Sequence, residues 1–401
     1  MSNRVNRLAA SLALAGCANL SHASGFALVE QNASGLGNAF AGQAAAATDA
    51  STVFFNPAGM TMLPDRQVVL VGHLIRPKVE FSGSSAIGGG DGGDAGSLAF
   101  VPNAYLVYRL TPDVHLGVGV NAPFGLKTEY DSTWAGRTQA IKSELKTVNL
   151  NPSIAWKATE SLSLGAGINI QYGEATLSNA TGAALPPTVG TVKGDDYGWG
   201  FNLGALWKLN DATRIGISYR SETDYKLKGD LKIGGVTAVD PIFASITLPD
   251  SASLSLSHKL NQRWDLLADL TWTGWSDFDV LKIVDSGGTP VVPPTTENWD
   301  DSYRYSVGAN YHQNDKLTLR GGIAFDKTPV SATYRTARIP DEDRTWIAFG
   351  AQYRLSDKSA FDFGYAHLFI KDASIKEGLV SLTGTYDGAV DILSAQYTYS
   401  F

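Results

Sequence analysis

Acid–base, nucleophilic or metal chemistry would require His, Cys and carboxylate groups at close, regular spacing, and this chain does not offer that pattern. Of its six histidines, His73, His115, His258, His312 and His367 are scattered, and none belongs to a recognisable Ser/His motif. No zinc-ligand spacing, phosphate-binding glycine loop or base-stacking platform is present either. The one cysteine, Cys17, lies in an N-terminal apolar run. The expectation is a protein that is not an enzyme and uses no cofactor or metal. What remains is chemistry of a different kind. Pro123 and Gly125 follow the alternating run Val118-Gly119-Val120. Pro lacks a ladder donor and Gly weakens a strand interior, so backbone pairing should fail there.

The elements around that break are strands with one apolar face. The chain ends on Leu393, Ala395, Tyr397, Tyr399 and Phe401, an apolar or aromatic residue at every second position. The same period recurs in Val114 to Val120, Leu162 to Ile170, Phe201 to Leu209, Trp264 to Trp272, Tyr303 to Tyr311 and Phe361 to Tyr365. Period two with Gly, Asn, Ser, Asp, Arg or Thr between the apolar positions fits a lipid-facing exterior and a mixed lumen. Only a closed barrel leaves no unpaired edge in hydrocarbon. From residue 24 onward no stretch approaches the roughly 18 apolar residues that a membrane helix needs.

Turn signals supply the strand count. Six short polar turns, at 111–113, 159–161, 210–212, 261–263, 313–315 and 356–358, alternate with seven long connections near 82–98, 126–142, 178–196, 221–249, 277–300, 327–341 and 371–387. Strict alternation of six and seven connections requires fourteen antiparallel strands, with short turns periplasmic and long loops outside. Trp156, Trp199, Trp207, Trp272, Trp275 and Tyr353 stand near strand ends, where aromatic girdles form. The fold class expected is all-β, a fourteen-stranded transmembrane barrel.

The N-terminus reads as an export signal over residues 1–23: Arg4 and Arg7, an apolar run from Leu8 to Ala15, and Ser21-His22-Ala23 as the cleavage site. Leu14-Ala15-Gly16-Cys17 also fits lipoprotein processing, which would instead leave a lipidated Cys17. Removing the signal takes the formal charge from −7 to −9, and no basic surface suggests nucleic acid. Residues 24–65 carry small residues, few charges, a helix-prone Ala44 to Ala47 and a turn at Asn56-Pro57-Ala58-Gly59. That is the size of a hatch inside a lumen, with the barrel proper over 66–401.

These segments resemble a known family. Ser24-Gly25-Phe26-Ala27-Leu28, the run from Ala33 to Gly42, and the hatch motif Asn56, Pro57 and Ala58 are similar to the N-terminal hatch of the FadL-type outer-membrane long-chain fatty acid transporters, which include the TodX-like hydrocarbon channels. Val101-Pro102-Asn103, Phe124-Gly125-Leu126 with Glu129-Tyr130, Phe325-Asp326 with Pro329-Val330, and Ile339 to Arg344 extend the resemblance along the mature chain.

The resemblance implies passive uptake of long-chain fatty acids or other hydrophobic compounds by a monomer in the outer membrane, in contact with its lipids. It assigns the lateral gate to Pro123, Phe124 and Gly125 in the third strand, and ligand contact to Phe26 in the hatch. It also assigns a carboxylate-binding role to Lys282, whereas its other basic position falls on Asn179 and so leaves an uncharged hydrocarbon open as cargo. Apolar residues of the third and fourth long loops, Leu185, Ile242 and Phe243 among them, suit capture from outside. A general porin would need an open charged constriction, which the hatch and apolar loops disfavour. A lipid hydrolase would need the catalytic group that is missing.

Overall fold

The computed structural model describes residues 25–378 and 380–401, so the export signal and Cys17 lie outside the described residues. Alternation dictates the architecture. Fourteen antiparallel strands close into one barrel: β1 Arg66–Ser84, β2 Ala99–Arg109, β3 Val114–Asn121 continued by Gly125–Glu129, β4 Lys142–Lys157, β5 Leu162–Ala180, β6 Val189–Lys208, and β7 Thr213–Arg220 continued by Thr223–Ile233. There follow β8 Val236–Leu248 continued by Ser251–Lys259, β9 Trp264–Thr273, β10 Ser302–His312, β11 Leu317–Asp326, β12 Arg344–Ser356, β13 Ser359–Ile370 and β14 Leu382–Ser400. Closure is made by β1 against β14, from Gln67↔Ser400 to Ser84↔Thr383.

The two faces have opposite chemistry. Leu70, Leu74, Ile168, Phe349, Phe363 and Leu393 are exposed on the outside, as lipid-facing residues must be. Inside, asparagines bond one another across the strands: Asn149 of β4 donates to Asn121 of β3 at 3.1 Å and to Asn169 of β5 at 3.2 Å, and Asn151 of β4 reaches past β5 to donate to Asn202 of β6 at 2.9 Å. Trp156, Trp199, Trp207 and Tyr353 point outward as girdle residues, but Trp275 does not. It is wholly buried on the inside, because a short 3-10 turn over Trp275–Asp277 ends the strand alternation at Gly274.

One connection differs from the sequence expectation. Residues 221–249 are not an open loop: the upper parts of β7 and β8 pair from Leu248↔Thr223 to Val236↔Ile233, turning at Gly234-Gly235. The β-prone Ile242, Phe243, Ile246 and Leu248 that suggested a greasy loop are strand residues with a partner to pair with.

The segment from Gly25 to Pro64 fills the lumen. Its helices are short: α1 Ala33–Leu36, α2 Gln43–Ala46, α3 Thr52–Phe55, and a 3-10 turn Pro57–Met62. The Asn56-Pro57-Ala58 motif anchors it. Asn56 caps the 3-10 turn by accepting from Ala58 N at 3.1 Å, and its Nδ2 donates to Ala44 O at 2.7 Å and to Ala205 O of β6 at 3.0 Å. Pro57 takes the first position of the turn, where its missing N–H costs nothing. Wall glycines admit the close approach. A Cβ built on Gly37 of the hatch would lie 2.8 Å from Gly350 Cα of β12.

Candidate binding site and wall opening

β3 breaks at Ala122-Pro123-Phe124. Below the break it pairs with both neighbours, but its bonds to β2 end at Ala104↔Val120. Above the break, Gly125–Glu129 pairs with β4 alone. The edge of β2 from Ala99 to Asn103 therefore faces no β3 partner. The hatch N-terminus occupies the gap. Leu28 N donates to Pro123 O at 2.8 Å, Gly125 N donates to Phe26 O at 2.9 Å, and Ala27 bridges Phe124 in antiparallel fashion. Gln31 Nε2 donates to Ala122 O at 3.0 Å. From the other side, Asn103 Nδ2 donates to Glu30 O at 3.0 Å and Tyr105 OH to Gln31 O at 3.1 Å. Residues 26–31 thus satisfy Ala122 O, Pro123 O and Gly125 N of the broken strand, and β2 meets them through the side chains of Asn103 and Tyr105.

Phe26, at the start of this segment, is buried in an aromatic cage. Its ring centroid lies 4.6 Å from Trp275, 5.6 Å from Phe278, 5.6 Å from Trp299 and 6.4 Å from Phe124. Leu126, Tyr225, Leu248, Val330 and Ile339 complete the cluster. Gly25 has φ +61°, and a Cβ there would sit 2.7 Å from both the Trp275 and Trp299 rings. Only glycine admits the indoles so close at that backbone angle. Its amide donates to Asp341 Oδ2 at 3.1 Å. The buried Trp275 Nε1 and Tyr225 hydroxyl have no partner among the described residues.

Of the ionisable groups beside the cage, Glu297 is buried while Glu377 and Arg338 are half-buried. Trp299 Nε1 donates to Glu297 at 3.2 Å, and burial pushes the Glu297 carboxyl up to about 7. Burial likewise pushes Glu377 up to about 7, although it accepts from Ala337 N at 2.7 Å. The cation close to both is Arg338, whose Nη1 donates to Lys142 O at 3.3 Å and Ser143 Oγ at 3.2 Å. Burial lowers its pKa while the charges of Glu377 and Glu297 oppose that shift.

The residues singled out in the sequence are thus only partly brought together. Phe26, Pro123, Phe124 and Gly125 converge. Lys282 does not: it is exposed, while Leu281 and Ile283 on either side turn inward onto an apolar groove with Ile242 and Phe243. It lies between two short strands, Val280–Leu281 and Ile283–Asp285, which pair with different partners. Ile242 is buried within the β7–β8 hairpin and not displayed on a loop, whereas Leu185 is exposed in the β5–β6 connection. Arg338, Glu297 and Trp299 were missed. Arg338 stands one residue before the Ile339-Pro340-Asp341 motif, which was its only signal.

A hatch in a barrel whose wall strand is broken at one point is the decisive geometry, and comparison with known proteins agrees. The family model described as outer membrane protein transport protein (OMPP1/FadL/TodX) matches residues 14–401. The chain belongs to this family. It is 30% identical to the long-chain fatty acid transport protein of Salmonella typhi over 98% of both chains, and 32% identical to outer membrane protein P1 of Haemophilus influenzae over 92% of this chain and 90% of that one. Among solved structures, a Pseudomonas aeruginosa FadL homologue superposes with a TM-score of 0.87 at 27% identity, covering 94% of this chain and 100% of the other. The toluene transporter TodX of Pseudomonas putida shares the fold, with a TM-score of 0.67 at 20% identity over 88% and 94% of the two chains. As a FadL/TodX-family member, the protein is an outer-membrane transport channel and not an enzyme.

Proposed function

We propose that this channel takes up long-chain fatty acids passively. The cargo is captured along the apolar groove of Ile242, Phe243, Leu281 and Ile283, held in the Phe26 cage, and released sideways through the break in β3. One observation carries the reading: a single short segment touches both places. Phe26 fills the cage, while the backbone of Phe26 and Leu28 binds Gly125 and Pro123. Cargo that displaces Phe26 pulls on the bonds that close the wall.

Energetics favour a sideways exit. Each methylene released into periplasmic water would forfeit about 0.8 kcal/mol that the bilayer supplies. The fatty-acid head is matched by Arg338, a guanidinium near the cage that replaces Lys282 as the carboxylate partner. Glu297 and Glu377 favour the alternative cargo, an uncharged hydrocarbon, whenever both are ionised.

The test is the double substitution Pro123→Val with Gly125→Thr, which restores a donor and strand propensity. The variant should insert and bind fatty acid from outside but transport poorly. Uptake at the parental rate, at matched surface expression, would place the exit elsewhere.

A further inference from the structure

The hatch run that fills the wall gap, residues 26–31, carries a single carboxyl, Glu30. It is 1% exposed, and its Oε2 has no hydrogen-bond partner among the described residues. The charged groups that face it come from three wall strands: Arg304 of β10, Asp326 of β11 and Arg344 of β12. Both arginines are engaged elsewhere. Arg304 Nη2 donates to Ala39 O at 2.6 Å, with its guanidinium 5.1 Å from the Trp346 ring, and Arg344 is bound to Asp341. A buried carboxylate with an unpartnered oxygen is costly, so the surroundings favour the neutral acid. Burial raises its pKa from the ordinary 4.5 to about 7, against the lowering pull of its own amide and of both arginines. The groups beside it along the chain close the wall: Glu30 O accepts from Asn103 of β2 at 3.0 Å, and Gln31 donates to Ala122 O at 3.0 Å.

We propose that Glu30 is a positioning residue of the hatch, whose neutral carboxyl holds residues 26–31 in the wall gap and whose ionisation frees them. When the run leaves the gap, Glu30 meets water and its proton passes to solvent; when the run returns, the carboxyl takes a proton back. The bound proton therefore favours the closed form. That advantage is full below the ordinary carboxyl value of 4.5 and is lost as pH rises through about 7. Opening becomes easier with rising pH across this window and levels off above it. Glu297 and Glu377 lie beside Arg338 and the cargo head, whereas Glu30 acts on the backbone bonds of the wall. The inference rests on the proposed function only for its effect on transport, since the closure of the gap by the hatch run is present in the fold itself.

Amide hydrogen exchange reads the opening directly, because Leu28 N and Gly125 N are the backbone donors that join the hatch run to β3. In the folded protein in detergent micelles, with intrinsic rates divided out, exchange at these two amides should speed up about twentyfold from pH 5.5 to pH 7.5. Amides of the β1–β14 closure should change less than twofold. Glu30→Gln, which is neutral at both values, should keep the slow exchange of pH 5.5 throughout, and Glu30→Met is the second neutral variant should the first not assemble. Equal exchange in the parent at the two pH values overturns the proposal with no variant needed. A rise with pH that survives in the neutral variants also overturns it and moves the titration to Glu297 and Glu377. If exchange behaves as expected but the Pro123→Val, Gly125→Thr variant transports normally, Glu30 keeps its control of the hatch and the sideways exit falls.

Discussion

The amide of Leu28 donates to the carbonyl of Pro123 at 2.8 Å, so a hatch residue completes the backbone of a wall strand where that strand has lost its neighbour. Two residues before Leu28, Phe26 sits 4.6 Å from Trp275 in the cage. Neither contact can be disturbed far without the other, because three residues of extended chain span only about 10 Å.

Removing the lever should separate binding from release. In Phe26→Ala the cage loses a ring that the cargo otherwise has to displace, so fatty-acid affinity should hold or rise. Uptake should fall, since cargo then exerts no pull on Leu28. Binding titrations and uptake measured on the same preparation check this, and uptake equal to the parent would remove Phe26 from the coupling.

Arg338→Gln should weaken binding of a fatty acid by about 1.5–3 kcal/mol while changing that of an alkane of equal length little. Lys282→Ala should leave both unchanged, as its amine is exposed. Equal losses for both ligands in Arg338→Gln would indicate loop packing and not charge.

Much of this was legible in the sequence. The period-two faces and the alternation of short and long connections lead to fourteen strands, and Pro123 with Gly125 marks the break, because these signals are local. Lys282, Ile242 and Trp275 were misplaced for a shared reason. Whether a residue just past a strand end faces lumen, groove or solvent depends on where its connection folds back, and that is a long-range matter. Arg338 was invisible because an arginine in a polar loop looks solvated until the loop is packed into the barrel mouth.

pH should tune the site. Glu297 and Glu377 have carboxyls raised to about 7 by burial, so they are protonated below that and ionised above it. As pH rises through 7, two negative charges appear near Arg338 and compete with a ligand carboxylate. Fatty-acid affinity should therefore decrease from pH 6 to pH 8, and Glu297→Gln should flatten the profile. A profile unchanged by that substitution would take Glu297 out of the site.

Asn56→Ala removes a cap and two hydrogen bonds, one of them to Ala205 of the wall. A local cost of about 1–3 kcal/mol follows, enough to let the hatch shift without unfolding the barrel. Planar-bilayer recordings should show steady ion leak absent from the parent. Equal conductance would mean that the remaining contacts hold the hatch.

The coupling of hatch to wall is tested most directly by fixing Ala27 to Phe124, which face each other across the antiparallel bridge. Directly opposed residues of such a pair have Cα atoms about 4.5–5.5 Å apart, within disulfide range. In the Ala27→Cys, Phe124→Cys variant, uptake should be abolished when the pair is oxidised and restored on reduction, with surface expression unchanged. Uptake that is the same in the oxidised and reduced forms would contradict the account, since cargo would then be leaving while the hatch remained tied to β3.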